Sequence, residues 1–330
     1  MELSATGVAF TPFETRVDTM LRLARHAEAL GFGRVQVAEA WSHDATIVLA
    51  EMAAQTSRIG LGTGVLSVWG RTPASIALAA AGLQRASAGR FSLGLGAGSQ
   101  PLTEGLHGVR WERPVAHLRE TLTGVRALLA GERLPRPAAG AKPLRLGVVP
   151  DVPVPIALAA LADESIRVAG ELADEWAPFL WARSRLAEGR ALLDEGEARA
   201  ELPHRTHITA AVPVALGPDT ESARRLAAWW LSTYTTRMGP IYPRLLERFS
   251  DSGTIEALQA TGQEWPATAE QLAREVTLFG TYDEGPGQID AWAAAGADSV
   301  ALVLPPGRPE AELTELLEVV AASNRAATLG

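Results

Sequence analysis

The sequence predicts an α/β protein, a single (β/α)8 TIM barrel over residues 1–330 with insertions near 133–155 and 239–266. Three observations carry this reading. Short apolar segments alternate along the chain with segments whose apolar residues recur at helical spacing, and the alternation runs to eight pairs. A chain of 330 residues, 47% of them hydrophobic, suits one barrel of ~250 residues plus insertions better than two smaller domains. Residues 58–99 read as one β-α-β unit with glycines at both strand ends, which makes a right-handed parallel crossover.

That unit organises the rest. Ile59-Gly-Leu-Gly-Thr-Gly-Val-Leu66 and Phe91-Ser-Leu-Gly-Leu-Gly-Ala-Gly98 alternate apolar with small residues, and an Ala-rich helix opened by Pro73 and stopped at Gly89 joins them. Glycine inside a strand marks a bulge or the close approach of a ligand. Gly62, Gly64, Gly96 and Gly98 fall at the C-terminal strand ends, the ligand face of parallel α/β folds.

In chain order, Thr6–Phe10 is the first strand, Val17–Leu30 a helix ended by Gly31, and Arg34–Ala38 the second strand. Glu39 follows at the barrel mouth, then a loop over Ala40–Asp44 and a helix over Ile47–Gln55. After Ser99 a loop passes Glu104, His107 and Trp111, and a helix spans Val115–Ala130. Six prolines between Arg133 and Pro155 predict a surface excursion with one strand at Leu144–Val149. Ile156–Ala160 and Trp176–Trp181 are the fifth and sixth strands, flanking a helix over Asp163–Leu172, and Arg183–Ala198 is a polar helix. His207–Leu216 is the seventh strand, with Asp219 or Thr220 capping a helix through Tyr234. Gly239–Pro266 is a second excursion with helical patches at Arg244–Phe249 and Ile255–Thr261. A helix over Gln288–Ala295, the eighth strand at Ser299–Leu304 and a helix over Glu310–Asn324 complete the fold.

Composition bounds the function. The net charge of −8 offers no positive field for nucleic acid or anionic lipid, so neither a nucleic-acid nor a membrane partner is expected. With no cysteine there are no disulfides or thiolate ligands, and the histidines show no metal-ligand spacing, so no metal is expected. The start lacks a basic stretch followed by an apolar one, and no apolar run is long enough to span a membrane. A cytoplasmic location is expected.

Taken together, Ile59–Val65, Arg71-Thr-Pro73, Ala88-Gly-Arg90, Leu93–Gly98 and Leu128-Leu-Ala-Gly131 resemble the luciferase-like monooxygenase superfamily. Ala27–Phe32, Ala169–Asp174 and Gly296–Pro306 extend the likeness over nearly the whole chain in order. Within the superfamily the chain is most similar to the branch that uses the deazaflavin coenzyme F420 and includes methylenetetrahydromethanopterin reductase.

The resemblance implies a site. In the family the peptide ending the third strand is often a non-proline cis bond against the flavin ring, and the matching pair is Gly64-Val65. The ring would lie over Val65, with its chain passing Gly98 and Ser99 toward Ala162 and Ser165, and with Phe10 and Ala160 at the same mouth. Glu39 and His43 would stand beside the substrate, as groups to orient it or exchange a proton. Two departures stand out. The family usually follows its acidic residue with histidine, whereas Ala40 and Trp41 follow Glu39; His43 either substitutes or is a loop residue in solvent. At the fifth strand end, Asp163 and Glu164 occupy a helix start where the family binds phosphate; either they cap an empty helix, or they face away while Ser165 and the backbone bind. Trp69, Trp111, Trp181 and the Trp229-Trp230 pair either line an aromatic pocket or fill core.

The leading expectation is an oxidoreductase that uses F420 to transfer hydride to or from a small organic substrate. The alternatives are an FMN-dependent monooxygenase, and a non-catalytic barrel that binds a cofactor or ligand without turnover. A homodimer is expected from the Ala-rich faces of Ile47–Gln55 and Ile76–Leu83, which pack closely in dimeric relatives.

Overall fold

The computed structural model describes residues 1, 3–261, 265–266 and 268–329; residues 262–264 of the predicted second insertion lie outside them. Among the described residues there are ten strands: β1 (Thr6–Phe10), β2 (Arg34–Val37), β3 (Gly60–Thr63), β4 (Leu66–Ser67), β5 (Phe91–Gly96), β6 (Ile156–Ala159), β7 (Glu175–Trp176), β8 (His207–Gly217), β9 (Leu278–Thr281) and β10 (Ser299–Val303). Eight of them run β10-β1-β2-β3-β5-β6-β7-β8, and β8 pairs back onto β10, so the parallel sheet closes. This is the (β/α)8 barrel, and each of the eight predicted strands contributes one stave.

The two extra strands extend staves. β4 continues the path of β3 beyond Gly64-Val65 and pairs with β5 through Leu66↔Leu95 and Ser67↔Gly96. β8 pairs with β10 from Thr209 to Pro213, and its next residues, Val214–Gly217, pair with β9 outside the ring.

Local sequence explains the helices. Val17–Leu30 buries Met20, Leu23, Ala24 and Ala27, a three- and four-residue spacing that aims one stripe at the strands. It ends at Gly31 in the left-handed region, φ 101°, whose N–H donates to the Ala27 carbonyl. Asp44, Thr72 and Asp219 cap the helices Ala45–Gln55, Pro73–Ala86 and Thr220–Arg237 by accepting N–H donors from Thr46, Ser75 and Ser222.

The floor of the barrel, at the N-terminal strand ends, is polar and paired. Arg34 on β2 donates twice to Glu175 on β7, each at 2.8 Å. Thr209 on β8 donates to the same carboxylate at 2.9 Å and meets Ser299 of β10 at 3.0 Å. Burial pushes the Glu175 carboxyl up, but the hydrogen bonds and charge of Arg34, with Thr209, outweigh it and hold the group below its ordinary value.

Several expectations are corrected. Leu144–Val149 forms no strand: prolines 143, 150 and 153 remove donors around it, and Leu144 and Val148 are exposed. The sixth strand is shorter than Trp176–Trp181, because the ladder ends at Trp176 and Leu180 turns the chain with φ 55°; Phe179 adds a single bridge to Ala211. The loop after Ser99 contains a short helix, Gln100–Gly105, and the second insertion has helices at Ile241–Leu246 and Ser252–Thr261. The helix Ala269–Val276 and strand β9 were not anticipated.

Candidate functional site

At the C-terminal strand ends a cavity of about 360 Å³ enters the barrel, within the range of small-molecule sites. It reaches between the staves because they present small side chains inward: Ala9 of β1, Thr63 of β3, Gly96 of β5, Ala157 and Ala159 of β6, and Ala211 of β8. A larger groove, about 920 Å³, runs over the outer helices Pro114–Leu129 and Asp163–Leu172. Its arginines are already paired, Arg119 with Glu171, Arg126 with Asp174 and Arg136 with Glu120. The inner cavity is therefore the better candidate.

Phe10, Gly64, Val65, Gly98, Ser99, Ala160, Ala162 and Ser165 all line the inner cavity, and so does Glu39. His43 does not; its Nε2 is buried with no partner among the described residues. The Gly64-Val65 peptide is cis. The Gly64 N–H donates to the Val37 carbonyl at 2.8 Å, and the Val65 carbonyl accepts from the Glu39 N–H at 3.1 Å, which ties the third strand end to the second. The Val65 side chain lies over β5: a Cβ at Gly96 would come within 2.8 Å of its Cγ2, and one at Gly94 within 2.0 Å of the Thr63 carbonyl oxygen. The alternating glycines of Leu93–Gly98 thus make room for Val65 and for the close approach of β3.

Glu39 is firmly held. Its Oε2 accepts from the Ala45 N–H at 3.0 Å and from Arg71 at 3.0 Å, and Arg71 also reaches Asp44 at 2.8 Å. The hydrogen bond that Arg71 donates to Glu39 raises the guanidinium above its ordinary value. For Asp44, burial pushes up while hydrogen bonds from Thr46 and Arg71 pull down and prevail. These contacts make Glu39 a hydrogen-bond acceptor held in place by a charged donor and a backbone N–H.

At the fifth strand end, Asp163 and Glu164 do not line the cavity. Asp163 accepts from Arg248 at 3.0 Å, and Glu164 pairs with Arg167 and Arg199. The helix Asp163–Leu172 begins after Ala162 with no side-chain cap, and the Ser165 hydroxyl donates back to the Ala162 carbonyl at 2.7 Å. Its uncapped N-terminal amides lie by Ala162 and Ser165, both on the cavity, with the neighbouring carboxylates neutralised by arginine. A largely apolar cavity with such a helix start on its lining fits a ring cofactor with an anionic chain.

Sequence reasoning missed the opposite wall. Phe179 after β7, Tyr234 on the helix after β8, and Met238, Ile241 and Tyr242 at the second insertion face the cavity. The four-residue spacing of Trp230 and Tyr234 on that helix was the available signal. Of the tryptophans considered, only Trp111 lines the cavity. Trp181 and Trp230 are core, with indole N–H groups donating to the Arg185 and Val214 carbonyls; Trp69 stacks on His117 at 3.9 Å; Trp229 packs edge-on against Phe13.

A closed parallel α/β barrel with a cavity at its C-terminal strand ends is the architecture of barrel enzymes. Residues 3–299 match the luciferase-like monooxygenase family, and the chain belongs to it. It is 29% identical over 302 residues to a Mycobacterium tuberculosis protein provisionally named a coenzyme F420-dependent oxidoreductase, covering 83% of this chain and 87% of that one. It is 26% identical over 329 residues to 5,10-methylenetetrahydromethanopterin reductase of Archaeoglobus fulgidus, covering 94% and 96%. The coenzyme F420-dependent tetrahydromethanopterin reductase of Methanopyrus kandleri shares the fold, with a TM-score of 0.78 at 19% identity over 97% of this chain and 98% of that one.

Proposed function

We propose that this protein is a coenzyme F420-dependent oxidoreductase that moves hydride to or from a small organic substrate. The observation that carries the reading is the convergence of Val65, Gly98, Ser99, Ala162 and Ser165 on one cavity, in a chain similar along most of its length to proteins named for that coenzyme. Bound there, the reduced deazaflavin supplies the hydride. The chain's own residues do the rest. Val65 and the glycines of β5 seat the ring, the start of the helix Asp163–Leu172 holds the anionic chain, and the apolar side chains of the lining limit water at the reacting carbon. Glu39, held by Arg71 and the Ala45 N–H, orients the substrate or accepts a proton from it. His43, off the cavity, has no step in this reading.

Equilibrium titration of the purified protein with F420 and with FMN, each oxidised and reduced, tests the proposal. Selective binding of F420 is the expected result. Selective binding of FMN would replace the reading with an FMN-dependent monooxygenase, and binding without turnover with a non-catalytic barrel.

The same reading takes the protein to be cytoplasmic and homodimeric. The cysteine-free composition suits a compartment without disulfides, and the helices Ala45–Gln55 and Pro73–Ala86 each expose a large apolar side chain, Ile47 and Leu78. Among the described residues no helix is long and apolar enough to cross a membrane.

A further inference from the structure

The cavity has two unlike arcs. The ends of β3, β5 and β6 supply the glycines and small residues assigned above to the cofactor, whereas the far arc is aromatic. There the ring centroids of Tyr234 and Tyr242 lie 4.9 Å apart, and Phe179 is 4.7 Å from Tyr234 and 6.0 Å from Tyr242. Met238 and Ile241 complete an apolar wall.

Charge is absent from that wall. None of the described residues lining the cavity is Lys, Arg or His, and its one carboxylate, Glu39, already has Arg71 and the Ala45 N–H as partners. On this arc, across from the helix start assigned to the coenzyme's anionic chain, a phosphate or carboxylate on the substrate would be buried without a counter-charge, which is costly. On that wall the polar groups are the two tyrosine hydroxyls; the cavity's other uncharged polar side chains, Gln36, Ser99 and Trp111 among them, belong to the rest of its lining. Neither tyrosine hydroxyl has a hydrogen-bond partner among the described residues, and neither is sealed off from solvent, so both are open to the cavity that the two rings line. Burial pushes both phenols above their ordinary value, with Tyr242 adding to the effect at Tyr234, so both stay protonated and can donate.

We propose, resting on the hydride-transfer reading, that the substrate is uncharged, with an apolar body and a single oxygen, a ketone or its alcohol, whose oxygen is held by the hydroxyls of Tyr234 and Tyr242. A hydroxyl both donates and accepts, so the pair serves either redox form. Reduction adds a hydride to the carbonyl carbon, from the reduced deazaflavin, and a proton to its oxygen, in the end from water; oxidation of the alcohol releases both.

Calorimetric titration of the full chain, with and without F420, uses three ring probes: cyclohexanone, methylenecyclohexane, which lacks the oxygen, and 4-oxocyclohexanecarboxylate, which adds a charge. Cyclohexanone is expected to bind, with the carboxylate about tenfold or more weaker. Tyr234→Phe and Tyr242→Phe keep the rings and are each expected to weaken cyclohexanone about five- to tenfold while leaving methylenecyclohexane unchanged. Failure of cyclohexanone to bind, equal affinity for the carboxylate, or no loss in either variant would overturn the proposal. The ranking of probes on the unaltered protein needs no variant to fold. Quenching of F420 fluorescence reads the coenzyme separately: its absence would remove the cofactor reading and leave the ranking of neutral against charged probes intact.

Discussion

Arg71 and Glu39 meet at the mouth of the barrel, guanidinium Nη2 3.0 Å from carboxylate Oε2 and Nε 3.3 Å from Oε1. Glu39 follows β2 and Arg71 follows β4, so the pair ties two adjacent strand ends, and Asp44 joins it through the same guanidinium. Both side chains are mostly sheltered, 18% and 13% exposed, so the pair matters more than a surface ion pair would.

Glu39→Gln keeps the shape and removes the charge. Stability is expected to fall by about 1–2 kcal/mol, F420 affinity to stay within about twofold, and turnover to drop about tenfold or more. Thermal melts, coenzyme titration and steady-state rates measure the three. Normal turnover would leave Glu39 with a structural role alone.

Gly96→Ala places a methyl against Val65, where a Cβ would meet Cγ2 at 2.8 Å. The barrel is expected to fold while coenzyme affinity drops about tenfold, since the seat of the ring must shift. Gly64→Val is expected to abolish binding: its Cβ already comes 3.1 Å from the Gln36 Cβ, and the branch adds a crowded methyl beside the ring. Unchanged affinity in both would move the ring elsewhere.

Glu175 predicts an acid limit to stability. Its carboxyl is held below its ordinary 4.5 in the folded chain, so it contributes stability that is fully present above about that pH. The contribution is lost as pH falls through the lower folded value. Glu175→Gln, which leaves Arg34 without its partner, is expected to cost about 3 kcal/mol at neutral pH and to flatten the decline below pH 4.5. Urea unfolding across pH 3 to 7 compares the two proteins; parallel declines would count against the assignment.

Light scattering is expected to give twice the 34.9 kDa chain mass at micromolar concentration. Ile47→Arg and Leu78→Arg together put charges on the exposed helix faces and are expected to return the monomer mass. A monomer before substitution would end the homodimer proposal.

The repeating elements of this barrel were legible in the sequence because their causes are local. The helix Val17–Leu30, with its four-residue apolar spacing and terminal Gly31, and the strand Thr6–Phe10 coincide with their predicted spans. The glycine-rich ends of the third and fourth predicted strands already marked one arc of the cavity, since glycine there answers to the close approach of Val65. The other arc was not legible. Tyr234 and Tyr242 reach the cavity only because the chain after β8 folds back over the strand ends, and an apolar spacing says which face is buried without naming the surface it meets. The same holds for charge. Asp163 and Glu164 stand at a helix start where sequence leaves their direction open, and partners brought close by the fold settle it: Arg248, 85 residues away from Asp163, and Arg199, 35 residues away from Glu164. Local pattern determines which elements form and where they stop; which side chains share a cavity or an ion pair is decided by long-range packing, where a group finds its partner only after the elements have docked.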